Sequence, residues 1–224
     1  SMVLRFDDTV GKVVDELERL GLSDRTLVIV ASDNGHTVHD YRRVGRTDPD
    51  TQLDGVPTDD RNRPFRTETC GDVFNGNDGM AGLKFSNWNG GCVIPFLACC
   101  PPLIPAGTVC DRLAANYDTL ATFADLLGLP TPPDTDGLSY LSLLRDPASP
   151  GPRRTVVYAS DYGPALVDDE GWKLRVYIPP EILSENATAD FSHDPRVEWQ
   201  LFFLPDDFAE RRDLSRLHPD RVQR

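Results

Sequence analysis

Positive charge is scarce in this chain. Its 224 residues carry 23 Lys and Arg against 36 Asp and Glu, a formal net charge of −13. That balance argues against non-specific binding to nucleic acid or to anionic lipid surfaces, which calls for clustered cations. Lysine is nearly missing: only Lys12, Lys84 and Lys173 occur. Each is a compact point charge in a chain that otherwise uses arginine. No apolar run approaches the roughly 20 residues that a membrane-spanning helix needs. The five cysteines (Cys70, Cys92, Cys99, Cys100, Cys110) form no C-x-x-C pair and no zinc-ligand spacing. Their odd number leaves at least one thiol unpaired within the chain, so they imply neither a disulfide framework nor a redox compartment. Internal repeats are absent, and Ser1-Met2-Val3 opens no signal-peptide pattern.

What is present is an ordinary globular composition, 39% hydrophobic and 26% charged, long enough for one domain or one domain with a small appendage. Val10, Val13, Val14, Leu17 and Leu20 recur at helical spacing before Gly21, which predicts a helix over Asp7 to Leu20. A turn at Ser23-Asp24-Arg25 then leads into T-L-V-I-V-A-S-D-N-G-H, Thr26 to His36. A continuous apolar run bounded by turn residues reads as a strand covered on both faces, as in a parallel sheet. Ligands of such sheets sit beyond the carboxyl ends of the strands. Asp33 and Asn34 are therefore candidate oxygen ligands for a hard cation, Ca²⁺ or Mg²⁺. A plain Asn-Gly turn explains the same residues slightly better when they are taken alone.

From Asn34 to Leu83 no period is sustained, and a loop that long is usually functional or disordered. Its Asn75-Gly76-Asn77-Asp78-Gly79 cluster does not fit an EF-hand loop and reads as ordinary turns. Next comes Gly82-Leu83-Lys84-Phe85-Ser86-Asn87-Trp88-Asn89-Gly90-Gly91. A lysine in glycine-rich backbone can place its ammonium over an oxyanion; the alternative is a lysine snorkelling from a loop. Cys92 to Cys100 reads as a strand with Pro95 at an edge or bulge. Asn116 or Asp118 can cap a helix whose apolar face is Leu120, Phe123, Ala124 and Leu127, ended by Gly128 and Pro130. After an Asp136-Gly137 turn, Leu138 to Leu144 is a short apolar element. Pro147 to Pro152 is the clearest boundary, dividing 1–147 from 148–224. Beyond it, Thr155 to Ser160, Ala165 to Asp168, Trp172 to Ile178 and Trp199 to Leu204 predict a small antiparallel sheet.

The order of these features resembles the C-terminal half of the sulfatase family, in the alkaline phosphatase superfamily. Val3 to Gly35 resembles that family's helix and metal-bearing strand. Gly82 to Gly107 resembles its G-x-K…E-G-G-x-R-x-P…P…I-x-A-G segment, and Tyr117 to Gly128 its D-x-x-x-T-x-x-D-L-x-G helix. Asp136-Gly137-Leu138-Ser139 resembles its D-G-x-S turn, and Gln200 to Leu214 its closing strand and turn. The resemblance implies an α/β fold: a partial alkaline-phosphatase-like sandwich with a small C-terminal antiparallel sheet subdomain. It makes Asp33 and Asn34 ligands of a catalytic Ca²⁺ or Mg²⁺, and Lys84 a cation on the sulfate ester oxygens. His36 could touch substrate or leaving group, a turn histidine being at least as good an account of it; His39 reads as a surface residue.

Three positions depart from the family pattern: Asn89 for the Glu of E-G-G, Val93-Ile94-Pro95 for R-x-P, and Phe203 for the acidic residue of the closing strand. The family's nucleophile, a formylglycine made from C/S-x-P-x-R, has no counterpart. Cys99-Cys100-Pro101-Pro102-Leu103 lacks the arginine and Ser149-Pro150-Gly151-Pro152-Arg153 lacks the proline. The expectation is a sulfatase part whose nucleophile-bearing half lies elsewhere, inactive alone and a weak metal binder. Its substrate would be a sulfate ester, sulfated carbohydrates included, and exposed sheet edges would favour dimers. Competing expectations are a phosphomonoesterase or phosphodiesterase of the same superfamily, and a non-catalytic module binding sulfated glycans. The family resemblance suggests an exported (periplasmic or secreted) or lysosomal parent, with Asn186-Ala187-Thr188 as a sequon match.

Overall fold

A computed structural model describes residues 2–36, 55, 64–66, 76–160, 163–179, 181–182, 191 and 194–223. His39, Asn75, most of the long loop and the Asn186-Ala187-Thr188 sequon lie outside the described residues. Spatially the chain groups into two discontinuous units, 1–32 with 95–154 and 33–94 with 155–224.

In the first unit, helix α1 spans Met2–Arg19. It begins five residues before the predicted start because Val3 and Phe6 extend the same apolar stripe upstream of Val10. It ends where Leu22 N–H donates to the Leu17 carbonyl and Gly21 takes φ +66°, the left-handed close that glycine makes without strain. No α1 residue is buried. Strand β1 (Val28–Ala31) pairs antiparallel with β2 (Phe96–Cys99), from Val28 opposite Cys99 to Ala31 opposite Phe96. The expected parallel strand covered on both faces is thus replaced, among the described residues, by a half-buried strand of a two-stranded antiparallel sheet. An apolar run records a surface that can be covered; it does not encode the direction of the neighbouring strand. The strand expected from Cys92 starts only at Phe96. Asn89–Cys92 forms a helical turn instead, and Pro95, lacking an N–H, precedes the paired residues.

Helix α2 (Thr119–Leu126) follows, with Asp118 at its N-cap position. The buried face is Ala121, Thr122 and Ala124, whereas Leu120, Phe123 and Leu127 are 57%, 40% and 69% exposed. The predicted apolar face holds only at Ala124, and polar anchoring accompanies the change. The buried Asp118 carboxylate accepts the Ala115 and Leu138 N–H groups, each at 2.9 Å, and pairs with Arg153, which also stacks on Tyr117. The Thr122 hydroxyl donates to the Asp118 carbonyl and accepts the Tyr140 N–H, while Asp125 accepts the Ser139 hydroxyl at 2.6 Å. The D-x-x-x-T-x-x-D and D-G-x-S motifs are thus one hydrogen-bonded assembly, closed by the short helix α3 (Leu141–Arg145).

The second unit holds an antiparallel meander β3-β4-β5-β6: Thr155–Ser160, Gly163–Asp168, Trp172–Tyr177 and Glu198–Phe203. These are the four predicted strands, with ends moved by at most two residues. The β4–β5 turn closes through Asp168 Oδ1, which accepts the Glu170 and Trp172 N–H groups, and Gly171 at φ +92°. One apolar cluster joins Val176, Ile178, Ile182 and Val197; another joins Ala81, Trp88 and Phe202. Among the described residues no helix is long and apolar enough to cross a membrane.

Candidate active site

Backbone contacts between glycines assemble the site within the second unit. Gly35 N–H donates to the Gly91 carbonyl at 2.9 Å, and a Cβ on Gly35 would overlap the Gly90 carbonyl. A Cβ on Gly90 would overlap the Ala81 and Gly82 carbonyls, and one on Gly91 those of Leu83 and Ser86. Lys84 N–H donates to the His36 carbonyl at 2.7 Å. The Asp33–His36 turn, the Lys84 loop and the Asn89–Cys92 turn are thereby locked together. Gly90 and Gly91 need no ligand to explain them, since any side chain there would push these segments apart.

This arrangement brings Asn34 and Lys84 to one cavity of about 270 Å³, lined also by Phe85, Cys92 and Ser160. Asn34 is half-buried, and its amide nitrogen donates to the Gly35 carbonyl at 2.9 Å. Lys84 is half-buried, makes no ion pair among the described residues, and holds its ammonium 5.1 Å from the Phe85 ring centroid. Asp33 is exposed beside Asn34 and does not line the cavity. His36 joins Lys84 only through its carbonyl; its imidazole packs on the Gly76 backbone, and it too is absent from the cavity lining.

Asp33 and Asn34 supply two oxygen donors of the kind a hard cation takes, but such an ion wants six or more. Among the described residues no group of three or more His, Cys, Asp and Glu comes together to hold a metal. By themselves these two donors do not make a Ca²⁺ or Mg²⁺ site.

Beneath the cavity lies a buried polar network. Lys173 Nζ is 2.6 Å from Glu210 Oε1, both side chains fully buried, and donates to Asn89 Oδ1 at 2.9 Å. Asn89 N–H donates to Glu210 Oε2 at 2.6 Å, and its amide nitrogen donates to the Phe208 carbonyl. At the position where a Glu was expected, Asn89 instead accepts from Lys173, whose carboxylate partner is Glu210. Arg175, two residues along β5, donates to Asn87 Oδ1 at 2.8 Å, pairs with Gln200 and lies 3.8 Å over the Trp88 ring. Burial drives the Lys173 ammonium below its usual range, opposed by Glu210, and lowers Arg175 to about 10. Burial also pushes the Cys92 thiol up to about 11 and raises the Tyr158 phenol. At neutral pH Cys92 is therefore a thiol that donates to the Ser86 carbonyl at 3.1 Å. It is not a thiolate nucleophile.

Sequence reasoning singled out Lys84 and Asn34, and the structure places both on the cavity. It missed Lys173, Arg175 and Glu210 as the frame beneath. Their one available signal was the scarcity of lysine, because alternation in Trp172-Lys173-Leu174-Arg175 would turn the charges to solvent.

Residues 1–129 match the model of the family described as Sulfatase. Human steryl-sulfatase is 28% identical over 145 residues, covering 63% of this chain and 20% of that protein. Rat N-acetylgalactosamine-6-sulfatase is 31% identical over 141 residues, covering 62% and 21%. A solved Bacteroides thetaiotaomicron structure, described under metabolism of multiple glycosaminoglycans, superposes with a TM-score of 0.68 at 23% identity. The superposition covers 99% of this chain and 41% of that one. The chain thus spans about a fifth to two fifths of the length of the proteins it matches.

Proposed function

The chain belongs to the sulfatase family, and from that premise we propose that it forms the sulfate-recognising part of a sulfate-ester hydrolase. The observation that supports this most is the convergence of Lys84 and Asn34 on one cavity. A sulfate ester carries negative charge spread over its non-bridging oxygens. As the S–O bond breaks, charge shifts toward the leaving oxygen, and a preorganised ammonium in a partly closed cavity stabilises it. Lys84 has that role. His36 orients the Lys84 backbone through its carbonyl. Asp33 and Asn34 would hold a Ca²⁺ or Mg²⁺ jointly with donors from elsewhere; when bound, such an ion polarises an ester oxygen as a Lewis acid.

The formylglycine nucleophile has no C/S-x-P-x-R from which to be made in this sequence, so turnover requires a second polypeptide segment that carries it. Sulfated carbohydrates are the proposed substrate class, by analogy with the N-acetylgalactosamine-6-sulfatases among the relatives. The absent nucleophile motif also favours a second reading, a module that binds sulfated glycans without cleaving them.

Saturation-transfer NMR with galactose 6-sulfate and galactose tests the proposal, using the wild-type chain and Lys84→Ala with and without CaCl₂. Binding that depends on the sulfate and drops about tenfold in Lys84→Ala, a loss of about 1.4 kcal/mol, is expected. Strengthening by Ca²⁺ would show that Asp33 and Asn34 hold the ion without donors from elsewhere. Equal binding by both proteins contradicts the Lys84 assignment.

A further inference from the structure

Phe85 stands out against the other strained positions among the described residues. Among the described residues four that are not glycine have positive φ: Asp78 (51°), Phe85 (78°), Asp134 (61°) and Glu210 (53°). Aspartate tolerates the left-handed region through local hydrogen bonding. Glu210 is held there by its buried pairing with Lys173 and its bond from Asn89 N–H. Phe85 has no such compensation. It is the third residue of the turn closed by Ser86 N–H on the Leu83 carbonyl at 3.0 Å, a position whose positive φ is normally met by Gly or Asn. Its side chain is 60% exposed, so packing does not offset the strain.

A single exposed Phe needs no explanation by itself. This one is held in a strained conformation, lines the same cavity as Asn34 and Lys84, and presents its ring within 5.1 Å of the Lys84 ammonium. Backbone strain without local reward collects where a side chain must be aimed.

We propose that Phe85 is a substrate-binding, specificity-determining residue. Its ring stacks on the flat face of the ring system that carries the sulfate ester, directly or through an exocyclic CH₂, while Lys84 takes the ester oxygens. The substrate class that follows is sulfate esters borne on a ring system, either on the ring or on its exocyclic CH₂, a pyranose or a fused flat ring system, in preference to acyclic alkyl sulfates. The inference rests on the sulfate-ester reading above and refines it.

The test measures dissociation constants of the full chain for galactose 6-sulfate, 4-methylumbelliferyl sulfate and ethyl sulfate, with galactose as the unsulfated control. The proteins are wild type, Phe85→Gly, Phe85→Tyr and Lys84→Ala. Phe85→Gly relieves the turn and should keep or raise the Tm. It should weaken at least one ring ester about three- to tenfold, as expected for loss of an aromatic contact, and leave ethyl sulfate unchanged. Phe85→Tyr should restore ring-ester binding. The ring ester that weakens more identifies which ring the site takes. Ring esters that bind Phe85→Gly as well as wild type overturn the proposal. So does equal weakening of all three esters, which would show loop damage, or failure of both ring esters to bind wild type. The sulfate reading fails separately, if galactose binds as tightly as galactose 6-sulfate or if Lys84→Ala changes nothing.

Discussion

Strand β5 and helix α1 both carry amphipathic patterns, and the structure treats them in opposite ways. β5 buries its charged face: Lys173 and Arg175 are among the most enclosed side chains described. α1 buries neither face, and Met2, Val3, Leu4 and Phe6 remain more than half exposed. Burial in each case follows the partners available, and the pattern alone does not decide it. Glu210, Asn89, Asn87 and Gln200 offer acceptors that make the interior of β5 habitable for cations. Among the described residues the valines of α1 stay exposed, apart from the half-buried Val10.

That contrast can be broken from its strongest side first. Glu210→Gln leaves Lys173 buried and unpaired, and urea unfolding should show a loss of about 3–5 kcal/mol. The double variant Lys173→Met, Glu210→Leu should recover most of it. A double variant as damaged as the single would mean that shape, and not charge pairing, governs β5. Next, Gly35→Ala should cost about 1–3 kcal/mol by forcing the Gly90 carbonyl away. It should also lower galactose 6-sulfate binding, because the overlap separates Asn34 from Lys84. Unchanged binding would show that the glycine contacts do not position the site.

A smaller effect is read in pH. The folded Cys92 thiol sits at about 11 against an ordinary 9.0, chiefly through burial. The folded state then keeps a proton that the unfolded state releases, so stability falls as pH rises from 9 to 11, by about 2 kcal/mol. Cys92→Ala should lack that decline. Lys173 and Arg175, lowered by burial, act with the opposite sign and Tyr158, raised by burial, with the same sign; the difference between the two stability curves reads Cys92 together with its coupling to Lys173 and Tyr158. Coincident curves would contradict its burial. Smallest of all, Val13→Lys in α1 should shift stability by under about 0.5 kcal/mol while reducing any self-association seen by light scattering. A large loss would mean that α1 is packed after all.

Alternation and turn chemistry made β3 to β6 legible, with the Glu170-Gly171 turn where expected. The order of motifs singled out Lys84, Asp33 and Asn34, for which the bland explanation was the better one when each was taken alone; Lys84 and Asn34 share a cavity that Asp33 does not line. The frame beneath was not legible, because a period-2 pattern cannot say that two cations point inward. The α2 face was misjudged for a related reason. Leu120, Phe123 and Leu127 form a convincing stripe, yet the Asp118–Arg153 pair and Thr122 fix the helix by its small residues. Phe85 was invisible because strain belongs to the backbone and leaves no mark in composition.

Turnover of 4-methylumbelliferyl sulfate by the purified chain in the presence of Ca²⁺ addresses the central claim most directly. If the chain recognises sulfate esters but carries no nucleophile, as proposed, it should release no product above background, whatever the metal concentration. Robust turnover that Lys84→Ala abolishes would contradict the account, because it would place a nucleophile in this chain where no C/S-x-P-x-R exists.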